Sequence, residues 1–247
     1  MKASARLRNE VHAWLRSHDL DLLSAYPYFI PKKLLRERIR SVASHARGIL
    51  LDIGCGDRPY QLLLPHVHRY VGMDLDARRR PDVVGAAEQL PFRDRVADTV
   101  LCTEVLEHSP EPEQVLREIR RVLRPGGTLI LTTPMCWNLH YEPHDYFRFT
   151  CYGLALLLDR AGLQILRIDR IGGVFALCGA RLTEVVCKTA ARALKRIPRL
   201  LSHLVVTGLY LFMTMTFSGA SRLLDRVDRT DAIGWLVLAR RPMEEAS

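Results

Sequence analysis

Three stretches of the chain hold residue types that do chemistry at close spacing. In LDIGCGD, residues 51–57, an apolar run ends on Asp52, and Gly54 and Gly56 follow with Asp57 close behind. In VLEHSP a single imidazole, His108, stands between an acid and a turn-forming Ser-Pro pair. In WNLHYEPHDYFRFTCYGL, residues 137–154, His140, Glu142, His144, Asp145, Tyr146 and Arg148 crowd into nine positions. The first is a place for a ligand that needs bare backbone. The other two offer groups that take protons or hold an acceptor.

A glycine pair alone is weak evidence for a phosphate cradle, and the acids argue against one here. A P-loop needs GxxxxGK[ST], and its lysine and hydroxyl residue are missing. A dinucleotide fingerprint needs GxGxxG, and Pro59 holds the third position. A plain tight turn is the remaining structural reading. Carboxylates accept donors, so the glycines and acids suit a ligand with an ammonium, a sulfonium and a ribose diol but no phosphate. S-adenosylmethionine is such a ligand.

The elements that must position these residues alternate strand and helix. GILLDIG, RYVGMDL, PDVVGAA, DTVLCTE and GGTLILTTP read as strands, and PEQVLREIRRVLRP as a helix between the last two. That alternation predicts βαβ units and a parallel sheet, an α/β fold. Ligands of such sheets lie beyond the carboxyl ends of the strands. Asp52, Asp74 and Glu104 each fall near a predicted strand end, so three acids gather on one edge.

LDIGCGDRPY, VGMDLD, AEQLPF, DTVLCTEVLEH and LRPGGTLILTTP, in this order, resemble the class I S-adenosylmethionine-dependent methyltransferases, specifically the type 11 group of small-molecule methyltransferases. The resemblance covers roughly residues 48–170. It implies a Rossmann-like seven-stranded sheet with helices on both faces and an antiparallel last strand inserted between the fifth and sixth. Carried over, it sets Asp52, Gly54 and Gly56 under the methionine part of the cofactor, and Asp74 on the ribose hydroxyls. Ala87, Glu88 and Leu90 would lie along the adenine, and Cys102, Thr103 and Glu104 would flank the methyl. Cys102 also reads as a small buried hydrophobe. One departure stands out: Ala86 replaces the family's acid and leaves the adenine amino group without that partner.

Methyl transfer from a sulfonium is an in-line displacement that depends mainly on positioning and exclusion of water, with a base needed only for a poor nucleophile. His108, His140 and His144 are the catalytic candidates. His140 and His144 form an HxxxH pair, too sparse in a loop to predict a metal, and the six cysteines show no CxxC or zinc spacing. No metal is expected. Similar methyltransferases with an NLHxEPHDYFRFT-like stretch act on glycans, lipids or other secondary metabolites. The expected reaction is methylation of a small, lipid-linked or glycan-linked acceptor at oxygen. A quinone-type carbon methyltransferase is the first alternative. An RNA methyltransferase is a second, disfavoured because no appended RNA-binding module, catalytic cysteine pair or NPPY-like tetrapeptide is present. A cofactor-binding scaffold without turnover is a third.

With 48% hydrophobic and 26% charged residues in 247, the chain can bury a core, which excludes a disordered or collagen-like protein. The net charge of +9 points to an acidic partner, and residues 172–230 alone carry nine basic and three acidic residues. The sequence predicts four parts: an N-terminal helical lid or cap (1–47), a cofactor-binding core (48–171), a basic and apolar helical insertion (172–230), and the final strand with its tail (231–247). The insertion contains a basic amphipathic helix, about 178–197, and an uncharged stretch, 200–220, long enough to span a bilayer. One crossing would strand the last β-strand on the wrong side. A second, through residues 174–194, would carry Arg181, Glu184 and Lys188 at about 2.5–3.5 kcal/mol each near the centre. The preferred expectation is a hairpin that dips into an anionic membrane surface; its rivals are a cap on the core and a homodimer interface. The first residues lack a secretory signal pattern, so a cytoplasmic protein, peripheral on the inner face of the membrane, is expected.

Overall fold

The computed structural model describes residues 28–227 and 230–243. Most of the expected N-terminal lid, residues 1–27, lies outside them, as do Asp228 and Arg229 of the basic segment. The chain divides into two compact units.

The larger unit, residues 36–171 with the chain from 233 onward, is built on a seven-stranded sheet of order β3-β2-β1-β4-β5-β7-β6. The strands are β1 (Gly48–Ile53), β2 (Val67–Asp74), β3 (Val83–Val84), β4 (Ala97–Thr103), β5 (Leu123–Pro134), β6 (Gln164–Ile171) and β7 (Gly234–Arg240). The first five pair in parallel, and β7 runs antiparallel between β5 and β6. This is the Rossmann-like order expected from the sequence. Burial explains which runs went where. GWLVLAR is buried at six successive positions, as a central strand covered on both faces must be, whereas β6 is partly exposed along QILRIDRI at the edge. PDVVGAA pairs over only two residues, and β5 starts three residues earlier than GGTLILTTP, with Gly126 at φ +78° inside it.

Two helices flank the later strands, the first of them the one read from the sequence. The first, Pro112–Val122, starts on a proline whose missing N–H costs nothing there and buries Val115, Leu116, Ile119 and Val122, an i, i+1, i+4, i+7 stripe. The second, Cys151–Arg160, is capped by Thr150, whose hydroxyl accepts from the Gly153 N–H. It ends at Gly162, φ +69°, in the turn into β6.

The smaller unit holds residues 28–35 and the insertion, 172–232. Its helices Val174–Ala193 and Arg199–Leu224 pack together. Gly179 permits a close approach: a Cβ there would stand 2.5 Å from Phe217. Asp225 reaches back to cap the first of them, accepting from the N–H groups of Phe175 (2.8 Å) and Ala176 (3.3 Å). Phe29, Cys187 and Tyr210 form the unit's buried centre. The basic helix begins four residues before the predicted start, with Gly173 as its N-cap residue.

Candidate functional site

Strand order reverses between β1 and β4, and the loop after β1 opens at that switch point. It is hooked over β2: the N–H groups of Gly54 and Cys55 both donate to the Met73 carbonyl, at 2.8 and 3.0 Å. Its two glycines differ. Gly54, at φ +71°, is packed so tightly that a Cβ would meet Val105 at 2.3 Å. Gly56, at φ +48°, faces nothing within 4 Å on the side where a Cβ would project. Its N–H donates to Asp74 Oδ2 at 2.9 Å, and the Asp76 N–H donates to Oδ1, so Asp74 sits across the mouth of this cradle with lone pairs to spare.

Asp52 lies beneath the loop, 1% exposed. One oxygen accepts a close hydrogen bond from the Tyr70 hydroxyl and the other has no partner. Burial pushes its pKa up to about 7, with the Asp74 charge adding to the shift and the Tyr70 bond opposing it. Glu104, at φ +53° just past β4, is likewise raised to about 7 by desolvation. Of the adenine-side candidates, Leu90 is buried with its N–H on Glu118 Oε2 (2.8 Å), and the Glu88 carboxylate accepts from the Ser109 hydroxyl at 2.5 Å. Ala87 and Thr103 are partly exposed. Cys102 is fully buried between β1 and β5, its thiol pKa pushed well up by burial.

The histidine candidates do not all converge. His108 and His140 meet edge to face, ring centroids 4.7 Å apart. His144 is exposed and turns its Nδ1 to the Tyr146 hydroxyl at 2.9 Å, while its carbonyl takes His108 Nδ1 at 2.6 Å. The segment after β5 is tied at both ends: the Phe149 N–H donates to the Pro134 carbonyl (3.1 Å), and Trp235 Nε1 to the Phe149 carbonyl (3.0 Å). Inside it, Arg148 grips Asp145 and also donates to the carbonyls of Asn138 (3.0 Å) and Phe147 (2.7 Å). This bracing fixes His140, whose N–H donates to Asp145 Oδ2. Sequence reasoning missed Glu107, a fully buried carboxylate with neither oxygen hydrogen-bonded, and Tyr70. Adjacency to His108 was the available signal for Glu107; nothing local marks Tyr70 as the partner of Asp52.

A separate cleft of about 770 Å³ opens at the other ends of the strands, lined by His45, Arg47, His66, His68 and Arg124 among others. It contains none of the candidate residues.

Residues 51–131 match the family model described as a methyltransferase domain. Residues 51–131 thus carry a methyltransferase domain. The domain is 51% identical over 55 residues to a sarcosine/dimethylglycine N-methyltransferase of Halorhodospira halochloris, covering 22% of this chain and 20% of that protein. It is 34% identical over 153 residues to a probable S-adenosylmethionine-dependent methyltransferase of Mycolicibacterium smegmatis, covering 55% and 58%. The solved structure of the cyclase SpnF superposes with a TM-score of 0.55 at 20% identity, covering 84% and 81%; this likeness is one of fold alone. The chain spans between a fifth and just over a third of the first three curated relatives it matches. The methyltransferase domain's residues fit the family's cofactor. An unpartnered buried carboxylate oxygen on Asp52, the open side of Gly56 and the Asp74 carboxylate offer acceptors and space for a cationic nucleoside with a diol.

Proposed function

We propose that the protein transfers a methyl group from S-adenosylmethionine to the oxygen of a small, lipid-linked or glycan-linked acceptor. The observation that carries this reading is the Gly56–Asp74 cradle at the switch point, with Asp52 beneath it. Asp52, Gly54 and Gly56 would hold the methionine part, Asp74 the ribose, and Ala87, Glu88 and Leu90 the adenine, with Cys102, Thr103 and Glu104 toward the methyl. When bound, the cofactor supplies an electrophilic methyl on a sulfonium that leaves as a neutral thioether. The protein's own contribution is to fix the acceptor: the braced segment 137–148 carries His140 to His108, and both imidazoles keep Nε2 clear of their backbone partners. His144 serves through its carbonyl. A quinone-type carbon methyltransferase remains the first alternative reading, supported by the apolar insertion; RNA methylation and a scaffold without turnover are weaker ones.

The insertion supports a peripheral membrane location on the cytoplasmic side. Helix Arg199–Leu224 is the one described helix long and apolar enough to cross a membrane, and only 11% of its apolar window is buried. Because β7 lies in the sheet between β5 and β6, an odd number of crossings between Ile171 and Gly234 would tear it away. Lying in the interface satisfies both facts. Two experiments test the reading. Asp74→Ala should weaken S-adenosylhomocysteine binding roughly tenfold or more by calorimetry; unchanged affinity rejects the ribose role. Labelled methyl donor with a membrane extract should yield a labelled lipid or glycan, and label in RNA instead would overturn the acceptor class.

A further inference from the structure

The turn Leu106–His108 lies two residues past β4 and brings Glu107 and His108 beside His140 of the segment after β5. Glu107 is 0% exposed and neither carboxylate oxygen has a hydrogen bond. A buried carboxylate in that state is costly unless something neutralises it. Its own backbone carbonyl accepts from the N–H groups of Tyr146 (2.8 Å) and Phe147 (3.3 Å), which bolts the 137–148 segment onto this turn.

The imidazoles are arranged around that carboxylate. His108 Nδ1 faces the His144 carbonyl at 2.6 Å, and His140 Nδ1 faces the Asn138 carbonyl at 3.1 Å, with Asp145 Oδ2 at 3.3 Å. A carbonyl only accepts, so both rings carry hydrogen on Nδ1 and a lone pair on Nε2. His108 Nε2 stands 3.7 Å from Glu107 Oε1. Ligand atoms of Glu107, His108 and His140 all lie within 4.8 Å of one another. A ligand atom from each imidazole thus stands close to a carboxylate that no hydrogen bond satisfies. A single proton neutralises one of these acceptors; a cation at their centre serves all three. The nearest guanidinium, Arg148, has its charge engaged by the bidentate pair with Asp145.

We infer that Glu107, His108 and His140 form a site for one divalent transition-metal ion. Two imidazoles and one carboxylate are the donor set of open catalytic sites for zinc and iron, and imidazole favours these metals over magnesium or calcium. Backbone carbonyls holding Nδ1 are the second-layer bonds that orient imidazoles toward a metal. With bonds of about 2.1 Å, ligand atoms of a tetrahedral site lie about 3.4 Å apart, so adjustments of about 1–1.5 Å bring the three into coordination. The site revises the expectation, drawn from the HxxxH spacing alone, that no metal binds: the partner of His140 is His108, 32 residues earlier in the chain, not His144. Its open positions would take an acceptor oxygen beside the end of β4. That role rests on the methyl-transfer reading above; binding of the ion does not.

The test uses the full chain, stripped with chelator and titrated with Co²⁺, whose visible absorption reports nitrogen and oxygen coordination apart from any cysteine sites. Wild type should take up one equivalent with that signature and gain thermal stability. Glu107→Gln, His108→Ala and His140→Ala should each lose roughly tenfold or more in affinity. His144→Ala should lose little, since only its carbonyl is used. Each variant's S-adenosylhomocysteine affinity, expected near wild type, reports that the fold is intact. Absence of a nitrogen and oxygen signature in wild type, or equal uptake by Glu107→Gln and wild type, overturns the site. Uptake of Co²⁺ by a chain that binds no S-adenosylhomocysteine would uphold the site and reject the methyltransferase reading instead.

Discussion

Asp145 and Arg148 meet in two parallel contacts, Nη1 to Oδ1 and Nη2 to Oδ2, each 2.7 Å long, with the carboxylate 2% exposed. The bonds from Arg148 and from the His140 N–H hold the Asp145 carboxyl well below the usual carboxylate range. Arg148→Met would leave that buried charge unpaired. The cost falls toward the lower end of about 3–5 kcal/mol because Arg148 keeps some solvent contact. Calorimetry should show a Tm lower by roughly 5–10 °C, partly recovered in Arg148→Met with Asp145→Asn. A depressed folded pKa means the pair's contribution is present above the unfolded value near 4 and is lost as pH falls below it. The gap between wild type and the double variant should therefore close in strong acid. A single variant as stable as wild type at pH 7 would refute the bracing role.

Asp52 behaves in the opposite sense. Its folded pKa, about 7, lies above the ordinary value of 3.8, so the folded chain holds a proton there that the unfolded chain releases. Its stability contribution falls as pH rises from about 4 to about 7 and then levels off. Asp52→Asn should raise Tm above pH 7 and leave it nearly unchanged at pH 4. A bound cation favours the ionised form, so cofactor affinity in wild type should drop as pH falls below 7, and that slope should vanish in Asp52→Asn. A pH-independent affinity in wild type would contradict the placement of Asp52 under a positive group.

Gly54 and Gly56 share a motif but predict different losses. Gly54→Ala drives a Cβ into Val105, 2.3 Å away, at a positive φ, and should destabilise the fold by about 2 kcal/mol or more. Gly56→Val meets open space, so its cost is backbone strain of about 1–2 kcal/mol. Its side chain would instead fill the cradle, and S-adenosylhomocysteine affinity should fall far more than stability does. Equal binding by Gly56→Val and wild type would remove the ligand from this loop.

Sequence alone revealed the sheet because its evidence is local. Runs such as GILLDIG and GGTLILTTP record burial on both faces, and the motifs around Asp52 and Asp74 keep their spacing along the chain. Even the antiparallel last strand, inserted between the fifth and sixth, was legible through resemblance and falls within residues 231–247. The acceptor side was less so, since its relationships bridge distant residues. His108 with His140, Glu107 with the Tyr146 N–H, and Tyr70 with Asp52 depend on how loops fold back, and no periodicity records that. The HxxxH spacing pairs His140 with His144 along the chain, whereas the ring that meets His140 in the fold is His108. Cys102 was readable in both senses, and its complete burial is what a core thiol requires.

The insertion's helix Arg199–Leu224 sets out the remaining prediction. Leu204, Phe212 and Met215 are each more than half exposed, an arrangement that leaves large apolar side chains in water. On the neighbouring helix, Glu184 pairs with Arg181 (3.0 Å) and Lys188 (2.6 Å), while Arg192 adds a further exposed charge. If the exposed apolar face meets a bilayer and the basic groups meet its headgroups, the protein should sediment with vesicles containing anionic lipid and less so with neutral ones. The headgroup term weakens as salt shortens the screening length, to about 8 Å at 0.15 M and about 3 Å at 1 M. Leu204→Gln, Phe212→Ser and Met215→Ser together should abolish sedimentation at any salt, with little change in Tm because none of the three is buried. If the triple variant still binds vesicles, the bilayer reading fails. If instead it loses self-association in the ultracentrifuge while vesicle binding was never present, this face joins two copies of the chain.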